Sequence, residues 1–385
     1  MKTDSRYLVW VGSVFDEFTV LNNKAVSPAA NNWQKGLITG LESQGLSVIT
    51  LAHLYEPIFP KGRLWISSND AMLHSSVKGE MISYYNLPIL KNIILARAYL
   101  NHLDTLCKSI GKPLAIITYN PYPYCIKIAK YAEQRLEIPT VCIVADGNEK
   151  EMKLSELSTG RVFLSWQSYQ NCQKSPKLHL DGGIEKLNWV DSQENIRDTT
   201  DKQKHKFIML YAGVLNHYGG VDFLLEAFKL VQIKNVELWI CGAGNNPKID
   251  QAIGQDSRIK FFGLVTEQVL TKLYQDAHVF INPRPSSLAA SKHNFPSKIL
   301  QYLSYGKPVI STWTDGLSPN YRDVLIVIEE ESPTYLAKVI EQVSCWDIQK
   351  YQEVRRRIKD FMTREKLWNL QAQNALDWLN EKIIC

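Results

Sequence analysis

The sequence predicts an α/β protein of two doubly wound domains, each a parallel sheet with helices on both faces. Three observations predict it. Short apolar runs alternate with segments of helical periodicity through most of the chain. At 385 residues the chain exceeds what one hydrophobic core usually serves. A polar, unpatterned stretch at 191–206, D-S-Q-E-N-I-R-D-T-T-D-K-Q-K-H-K, separates two halves of like pattern and reads as a linker.

In the first domain, 1–190, strands are expected near 7–11, 46–51, 114–118 and 139–144, and helices near 31–44, 86–108 and 122–136. The second, 207–361, repeats the scheme: strands near 207–212, 236–241, 259–262, 278–282, 308–312 and 324–328, helices near 220–231, 266–276, 295–305 and 333–344. Each strand is a short apolar run of the kind a parallel sheet covered on both faces requires. In the tail, Trp368, Ala372, Ala375 and Leu379 recur at helical spacing after the second domain is complete. That apolar stripe needs a partner. Two doubly wound domains facing across a cleft place ligands at the carboxyl ends of their strands, so loops after strands are where chemistry is sought.

Composition narrows the class. The hydrophobic fraction is 45%, and the net charge of +5 divides as 19 basic to 16 acidic residues over 1–185 and 25 to 23 over the rest. Neither half is basic enough for a nucleic-acid surface. Seven cysteines, at 107, 125, 142, 172, 241, 345 and 385, are scattered without C-x-x-C spacing, which fits neither a disulfide framework nor a structural zinc site and points to a reducing cytoplasm. Residues 1–16 read as an approach to a first strand rather than as a signal peptide. No apolar run approaches the ~18 residues needed to span a bilayer. The helix near 86–108 is apolar with Lys91, Arg97 and Lys108 interspersed, so salt-sensitive, peripheral contact at the inner membrane face is the most that is expected.

The most informative stretch is 294–312, N-F-P-S-K-I-L-Q-Y-L-S-Y-G-K-P-V-I-S-T. Pro296 suits a first helical position, Gly306 the position past the end, and Pro308 prevents continuation. Ile299, Leu300 and Leu303 share one side, Lys298 and Gln301 the other. Backbone N–H groups at Ser297 and Lys298 together with the Lys298 ammonium form a candidate phosphate site. An amphipathic core helix with a solvated lysine is the competing reading. A second signal is Y-A-G-V-L-N-H-Y-G-G-V-D-F-L-L-E-A-F at 211–228, a strand running through Gly213, Asn216, Gly219 and Gly220 into a helix. Glycines there let backbone approach a pyrophosphate.

These residues resemble the retaining GT-B glycosyltransferases of the group 1, or family 4, type, whose donor helix reads F-x-x-x-x-x-E-x-x-x-x-G-x-P-V. Phe295, Gly306, Pro308 and Val309 fall in register, and N-P-R at 282–284 with F-P-S-K at 295–298 is similar to a branch found among surface-polysaccharide enzymes. The likeness runs from about Phe207 to Ile328, with S-P-A-A-N-N-W-Q-K-G-L at 27–37 similar to that branch's first loop and helix. It implies two Rossmann-like domains, the first binding acceptor and the second the nucleotide-sugar donor. It also implies a final helix, about 362–385, that crosses back onto the first domain; a dimerisation helix is the alternative.

By the same resemblance the glycine loop lacks two diphosphate-neutralising charges, since Val214 and Gly219 stand where the family carries Arg and Lys. Arg284, a planar fork, and Lys298, a point charge, are the in-register replacements. The family's two glutamates are His293 and Gln301 here; Gln301 can still accept from a ribose hydroxyl, and His293 either donates to a sugar hydroxyl or caps the helix. Asn294 and Phe295 would line the sugar pocket. Gly242, in C-G-A-G at 241–244, and Phe262, Gly263 and Leu264, in F-F-G-L-V at 261–265, would border the base, although core burial suits Phe262 better.

On the acceptor side, Gly12 and Ser13 follow the first strand. Asn31 and Trp33 open the first helix, where Trp33 is a sugar platform or a packing staple. Asn120, in Y-N-P at 119–121, ends another strand where many relatives place a functional His. Asp146 is the best carboxylate to deprotonate an acceptor hydroxyl, or else a turn former beside Gly147. The reading is a metal-independent glycosyltransferase without cofactor, its catalytic residues Asp146, Arg284 and Lys298, moving a hexose-type sugar from a nucleotide diphosphate donor, UDP-linked, to a glycan or lipid-linked acceptor. The alternative is a degenerate GT-B module that binds sugar or a partner glycosyltransferase without turnover.

Overall fold

The structure, a computed structural model, describes residues 6–189 and 206–384. Apart from Lys206, the linker expected at 191–206 lies outside the described residues. The chain divides into two compact units: residues up to Glu185, His293–Phe295 and Leu367 onward form one, and Lys186–Lys292 with Pro296–Lys366 form the other.

The first unit is built on strands β1 (Tyr7–Val11), β2 (Ser47–Ala52), β4 (Lys78–Met81), β6 (Ala115–Tyr119), β7 (Thr140–Val144), β8 (Gly160–Phe163) and β9 (Lys177–His179). They form one all-parallel sheet in the order β4-β2-β1-β6-β7-β8-β9. Strands β3 (Trp65–Ile66) and β5 (Tyr84–Tyr85) pair separately as an antiparallel ribbon. All five residues of β1, β6 and β7 are buried, as a sheet covered on both faces requires. The helices are α1 (Glu17–Asn22), α2 (Pro28–Ser43), α3 (Lys91–Ile110), α4 (Pro123–Tyr131), α5 (Glu149–Ser155) and α6 (Trp166–Asn171). Helix α2 opens on Ser27, whose Oγ accepts from Ala30 N at 3.3 Å, with Pro28 at the first helical position where its missing N–H costs nothing.

The second unit has one parallel sheet in the order β12-β11-β10-β13-β14-β15, from β10 (Phe207–Ala212), β11 (Val236–Cys241), β12 (Ile259–Phe261), β13 (Val279–Asn282), β14 (Val309–Thr312) and β15 (Ile326–Ile328). Its helices are α7 (Val221–Phe228), α8 (Pro247–Gln255), α9 (Glu267–Asp276), α10 (Ala289–His293, whose last residue falls in the first unit), α11 (Lys298–Ser304), α12 (Pro333–Ser344) and α13 (Ile348–Glu365). Met209, Leu238, Val279 and Ile310 pack with Leu224, Phe228, Leu336 and Ile340 as its core. The last helix, α14 (Trp368–Lys382), lies on α2 of the first unit. The approach is close because Gly36 and Gly40 face it: a Cβ on Gly36 would stand 2.1 Å from the Trp368 ring, and one on Gly40 2.7 Å from Ala372 Cβ.

Several expected boundaries move. The helix expected from 86 starts at Lys91, because Ile89 adopts a left-handed backbone that no α-helix accepts. The helix expected at 220 starts after Gly220, also left-handed at φ 75°. The helix expected from 295 starts at Lys298: Pro296 is not a helical residue but offers its carbonyl to Ile299 N at 2.9 Å, forming the turn that leads in. Residues 362–365 belong to α13, not to the final helix.

Candidate functional site

Each parallel sheet reverses its strand order at its first strand, and ligand crevices open at the carboxyl ends of strands beside such a reversal. In the second unit the reversal lies at β10, between β11 and β13, and four loops converge there. Gly213 N donates to Cys241 O at 2.9 Å, Leu215 N to Ala243 O at 2.9 Å, and Gly242 N to Gly263 O at 2.9 Å. The packing leaves no room for side chains: a Cβ on Gly242 would lie 1.6 Å from Gly213 O, and one on Gly220 1.9 Å from Pro283 O and 3.2 Å from Arg284 N. Thus the glycine loop meets the β13 loop at Pro283 and Arg284. Tyr302 of α11 locks the base of the assembly, its hydroxyl 3.0 Å from both Ala212 N and Ala212 O.

Two cations stand in this region without counter-charge among the described residues. Arg284 donates from Nε to Ser291 Oγ at 2.9 Å, and Thr312 Oγ1 donates to Arg284 O. Burial pushes its guanidinium below the ordinary range, and no carboxylate acts on it. Lys298 is half-buried at the start of α11; desolvation pushes its ammonium down, offset only by the nearby Cys241 thiol. The pair is reciprocal: burial pushes Cys241 up to about 11 and Lys298 pulls it back. A half-buried cation that meets no anion carries an uncompensated desolvation cost, which a bound phosphate would relieve.

Among the other expected donor residues, Gly219 sits tightly behind Val214, where a Cβ would stand 2.1 Å from Val214 O. Asn216 uses its side chain locally, Oδ1 accepting from Gly219 N at 3.2 Å. Phe262 is not core: it sits at the solvent edge of the sheet, 5.3 Å from the Trp239 ring, because β12 has no further strand beyond it. Leu264, Ser297 and Gln301 are exposed. His293, Asn294 and Phe295 fall in the first unit, with Phe295 buried and His293 Nδ1 buried without a partner.

In the first unit the reversal lies at β1, between β2 and β6. The loop after β1 is held by Gln34, which the sequence did not single out. Its Oε1 accepts from Trp10 Nε1 at 3.0 Å and Ser13 N at 3.1 Å, and its Nε2 donates to Ser13 O at 3.2 Å. Gly12 is a glycine because a Cβ there would stand 2.1 Å from Gln34 Oε1. Asn31 is corrected from acceptor ligand to clasp: it accepts from Phe15 N at 2.8 Å and donates to Phe15 O at 3.2 Å. Of the two readings of Trp33, its packing is that of the staple and not the platform: it is buried between Tyr119 at 5.9 Å and Trp368 at 5.8 Å. Asn120, left-handed at φ 64°, accepts from Ala145 N at 2.9 Å and so ties the β6 and β7 loops together. No sequence signal marked Gln34, since a glutamine on a helix is ordinarily a surface residue.

Asp146 follows β7 and faces solvent; Asn148, not Asp146, caps α5. Partial desolvation raises its carboxyl above the ordinary range, with an Asn120 hydrogen bond pulling it back. It acts in turn on the Tyr119 and Tyr122 hydroxyls. Among the described residues no three His, Cys, Asp or Glu side chains are grouped to hold a metal ion.

Residues 206–344, just over a third of the chain, match the family model described as glycosyl transferases group 1. An uncharacterized glycosyltransferase of Methanocaldococcus jannaschii is 24% identical over 176 residues, 43% of each protein, so the chain spans less than half the length of this curated relative. Solved structures align over nearly the whole chain: sucrose-phosphate synthase of Thermosynechococcus elongatus (TM-score 0.66, 13% identity, 98% of each chain) and a glycosyltransferase of Rickettsia africae (0.69, 12%, 98% of this chain and 99% of that one). The Anabaena protein HepE in complex with UDP and glucose aligns with TM-score 0.65 at 12% identity, over 97% of this chain and 99% of that one. The fold is GT-B. At these identities the likeness concerns the two parallel-sheet domains of that fold. No helix among the described residues is long and apolar enough to cross a membrane.

Proposed function

We propose that this GT-B protein is a retaining, metal-independent hexosyltransferase that carries a sugar from a UDP-linked donor to a glycan or lipid-linked acceptor in cytoplasmic assembly of a surface polysaccharide or glycoconjugate. The observation that carries the reading is the pair Arg284 and Lys298, two desolvated cations of one unit on which no carboxylate acts. The match of residues 206–344 to the group 1 family supports it, as does the UDP and glucose in the Anabaena complex.

In this reading Arg284 grips the diphosphate as a fork and Lys298 as a point charge, with backbone of the Gly213–Gly220 loop close against it. They supply the positive charge that a divalent cation would otherwise bring. Exposed Phe262 stacks on the base, and Gln301 accepts from the ribose. The bond between the anomeric carbon and the phosphate oxygen breaks with its electron pair leaving on UDP. The acceptor oxygen bonds to that carbon from the same face, and its proton passes to Asp146, whose raised pKa suits a base. Catalysis is then positioning plus stabilisation of leaving-group charge.

Titration with UDP and GDP, followed by assay of donor hydrolysis, tests this. Micromolar UDP binding with UDP release from a UDP-hexose is expected. Absence of nucleotide binding would overturn it in favour of a module that binds sugar or a partner glycosyltransferase without turnover, a reading motivated by Val214, Gly219, His293 and Gln301.

A further inference from the structure

The strand reversal in the first unit gathers an aromatic wall. Strands β2, β1 and β6 are neighbours in the sheet, and Tyr55 follows β2, Ser13 follows β1 and Tyr122 follows β6. The Tyr55 and Tyr122 rings lie 6.1 Å apart at an interplanar angle of 61°, so they span the carboxyl end of β1, where Ser13 acts on the Tyr55 hydroxyl. Both rings are half-buried and still meet solvent.

The wall is fixed from behind. Tyr122 stacks on Tyr124 at 5.8 Å and Tyr124 on Tyr99 at 5.6 Å, and Tyr55 Oη lies 3.2 Å from Tyr124 Oη. Buried His53 packs edge-on against Tyr99 and Tyr124, its Nδ1 2.8 Å from Tyr99 Oη. Rings held in place beside a few polar groups at a crevice are the ordinary make-up of a small-molecule site.

The polar side of the wall is acidic. Asn120 Nδ2 donates to Tyr122 Oη at 3.5 Å, and the same side chain bonds the Asp146 carboxylate, so one amide links ring to carboxylate. Burial and then Asp146 raise the Glu151 carboxyl, offset by Asn148 and by exposed Lys150, and Glu151 Oε2 is buried without a hydrogen-bond partner. No Lys or Arg acts on Asp146 or on Tyr119 beside it. A phosphate or carboxylate brought here would meet like charge with no cation to offset it, and such repulsion is itself a specificity device. A pyranose suits the same surface, with C–H faces for the rings and hydroxyls for Tyr122, Asn120 and Asp146.

We propose that Tyr55 and Tyr122 seat the acceptor and that its reacting sugar is uncharged, sugar phosphates and uronic acids being refused. This deepens the proposed function and rests on Asp146 lying on the acceptor side of that reaction.

The test is saturation-transfer NMR on the full chain with UDP present. The probes are the methyl glycosides of glucose, galactose and mannose, the phosphate monoester of each at its primary hydroxyl, and methyl glucuronide. At least one neutral glycoside is expected to bind, and its phosphate and the uronide to bind at least about tenfold more weakly. Tyr122→Ala should weaken the neutral sugar by about tenfold, and Tyr122→Phe should restore most of that affinity because the ring remains. Glu151→Gln should narrow the discrimination against phosphate severalfold, an effect that a purely structural carboxylate would not have. Equal or tighter binding of the phosphorylated sugar, no binding of any neutral glycoside, or unchanged affinity in Tyr122→Ala overturns the proposal. Titration with UDP alone keeps the two readings apart: a chain that binds UDP but prefers charged sugars loses this inference and keeps the donor site, whereas one that binds neither UDP nor sugar loses both.

Discussion

Replacing Lys298 by alanine separates a phosphate-binding lysine from a solvated one. The ammonium is half-buried, desolvation pushes its pKa down, and no carboxylate acts on it, so a donor diphosphate would be its first counter-charge. A charge-assisted hydrogen bond to phosphate is worth ~1.5–3 kcal/mol, which corresponds to a UDP dissociation constant raised roughly ten- to a hundredfold. Stability should move the other way or not at all: alanine is the best helix former, and removing a desolvated cation relieves the unliganded fold. Isothermal titration with UDP gives the first quantity and a thermal melt the second. Arg284→Ala should weaken UDP by a similar factor, with some loss of loop order because Nε also holds Ser291 Oγ at 2.9 Å. Unchanged UDP affinity in both variants, with melting intact, would refute the reasoning and move the donor site elsewhere.

Gln301→Glu should tighten UDP several-fold if the exposed amide faces the ribose, because a carboxylate accepts more strongly than an amide; titration reads this directly. Gly36→Ala should lower the stability of the first unit by ~1–3 kcal/mol through overpacking, seen in a urea melt, since its Cβ would meet the Trp368 ring at 2.1 Å. Buried His53, whose Nδ1 lies 2.8 Å from Tyr99 Oη, has its pKa lowered from 6.5 to about 3, first by desolvation and then by Lys91. Between those values the unfolded chain takes up a proton that the folded one refuses, so stability is full above pH 6.5 and falls by about 1.4 kcal/mol per pH unit on acidification. His53→Gln should flatten that slope in urea midpoints measured across the range.

The parallel strands were legible because a strand buried on both faces must be mostly apolar, and β1 and β10 are throughout, with β6 and β7 each broken by a single threonine, Thr118 and Thr140. Elements that do not span the core escaped, and so did β8, which is buried along its length but broken by the fully buried Arg161. Strand β9 is only half-buried at the sheet edge, and the β3–β5 ribbon is two residues to a side. Helix α13 carried a readable stripe, Val354, Ile358, Phe361 and Met362, obscured by the charged residues between them. In the candidate site, Arg284, Lys298 and the donor-side glycines were named through a resemblance to a known pattern, and the structure gathers them in the second unit while their role in binding rests on the predictions above. The sequence could not tell that Asn31 and Trp33 turn inward or that Gln34 holds the β1 loop, since which face of α2 is buried depends on α14, whose chain is more than three hundred residues away.

The central claim, that Arg284 and Lys298 hold the diphosphate of a sugar donor, is tested most directly by following nucleotide release from UDP-hexoses by NMR, for the unaltered chain and for Arg284→Ala/Lys298→Ala. The account predicts release of UDP by the unaltered chain and a fall of at least about a hundredfold in the double variant, because two charge-assisted hydrogen bonds to the diphosphate are removed at once. Equal turnover in both proteins, or no turnover and no bound nucleotide in either, would contradict it.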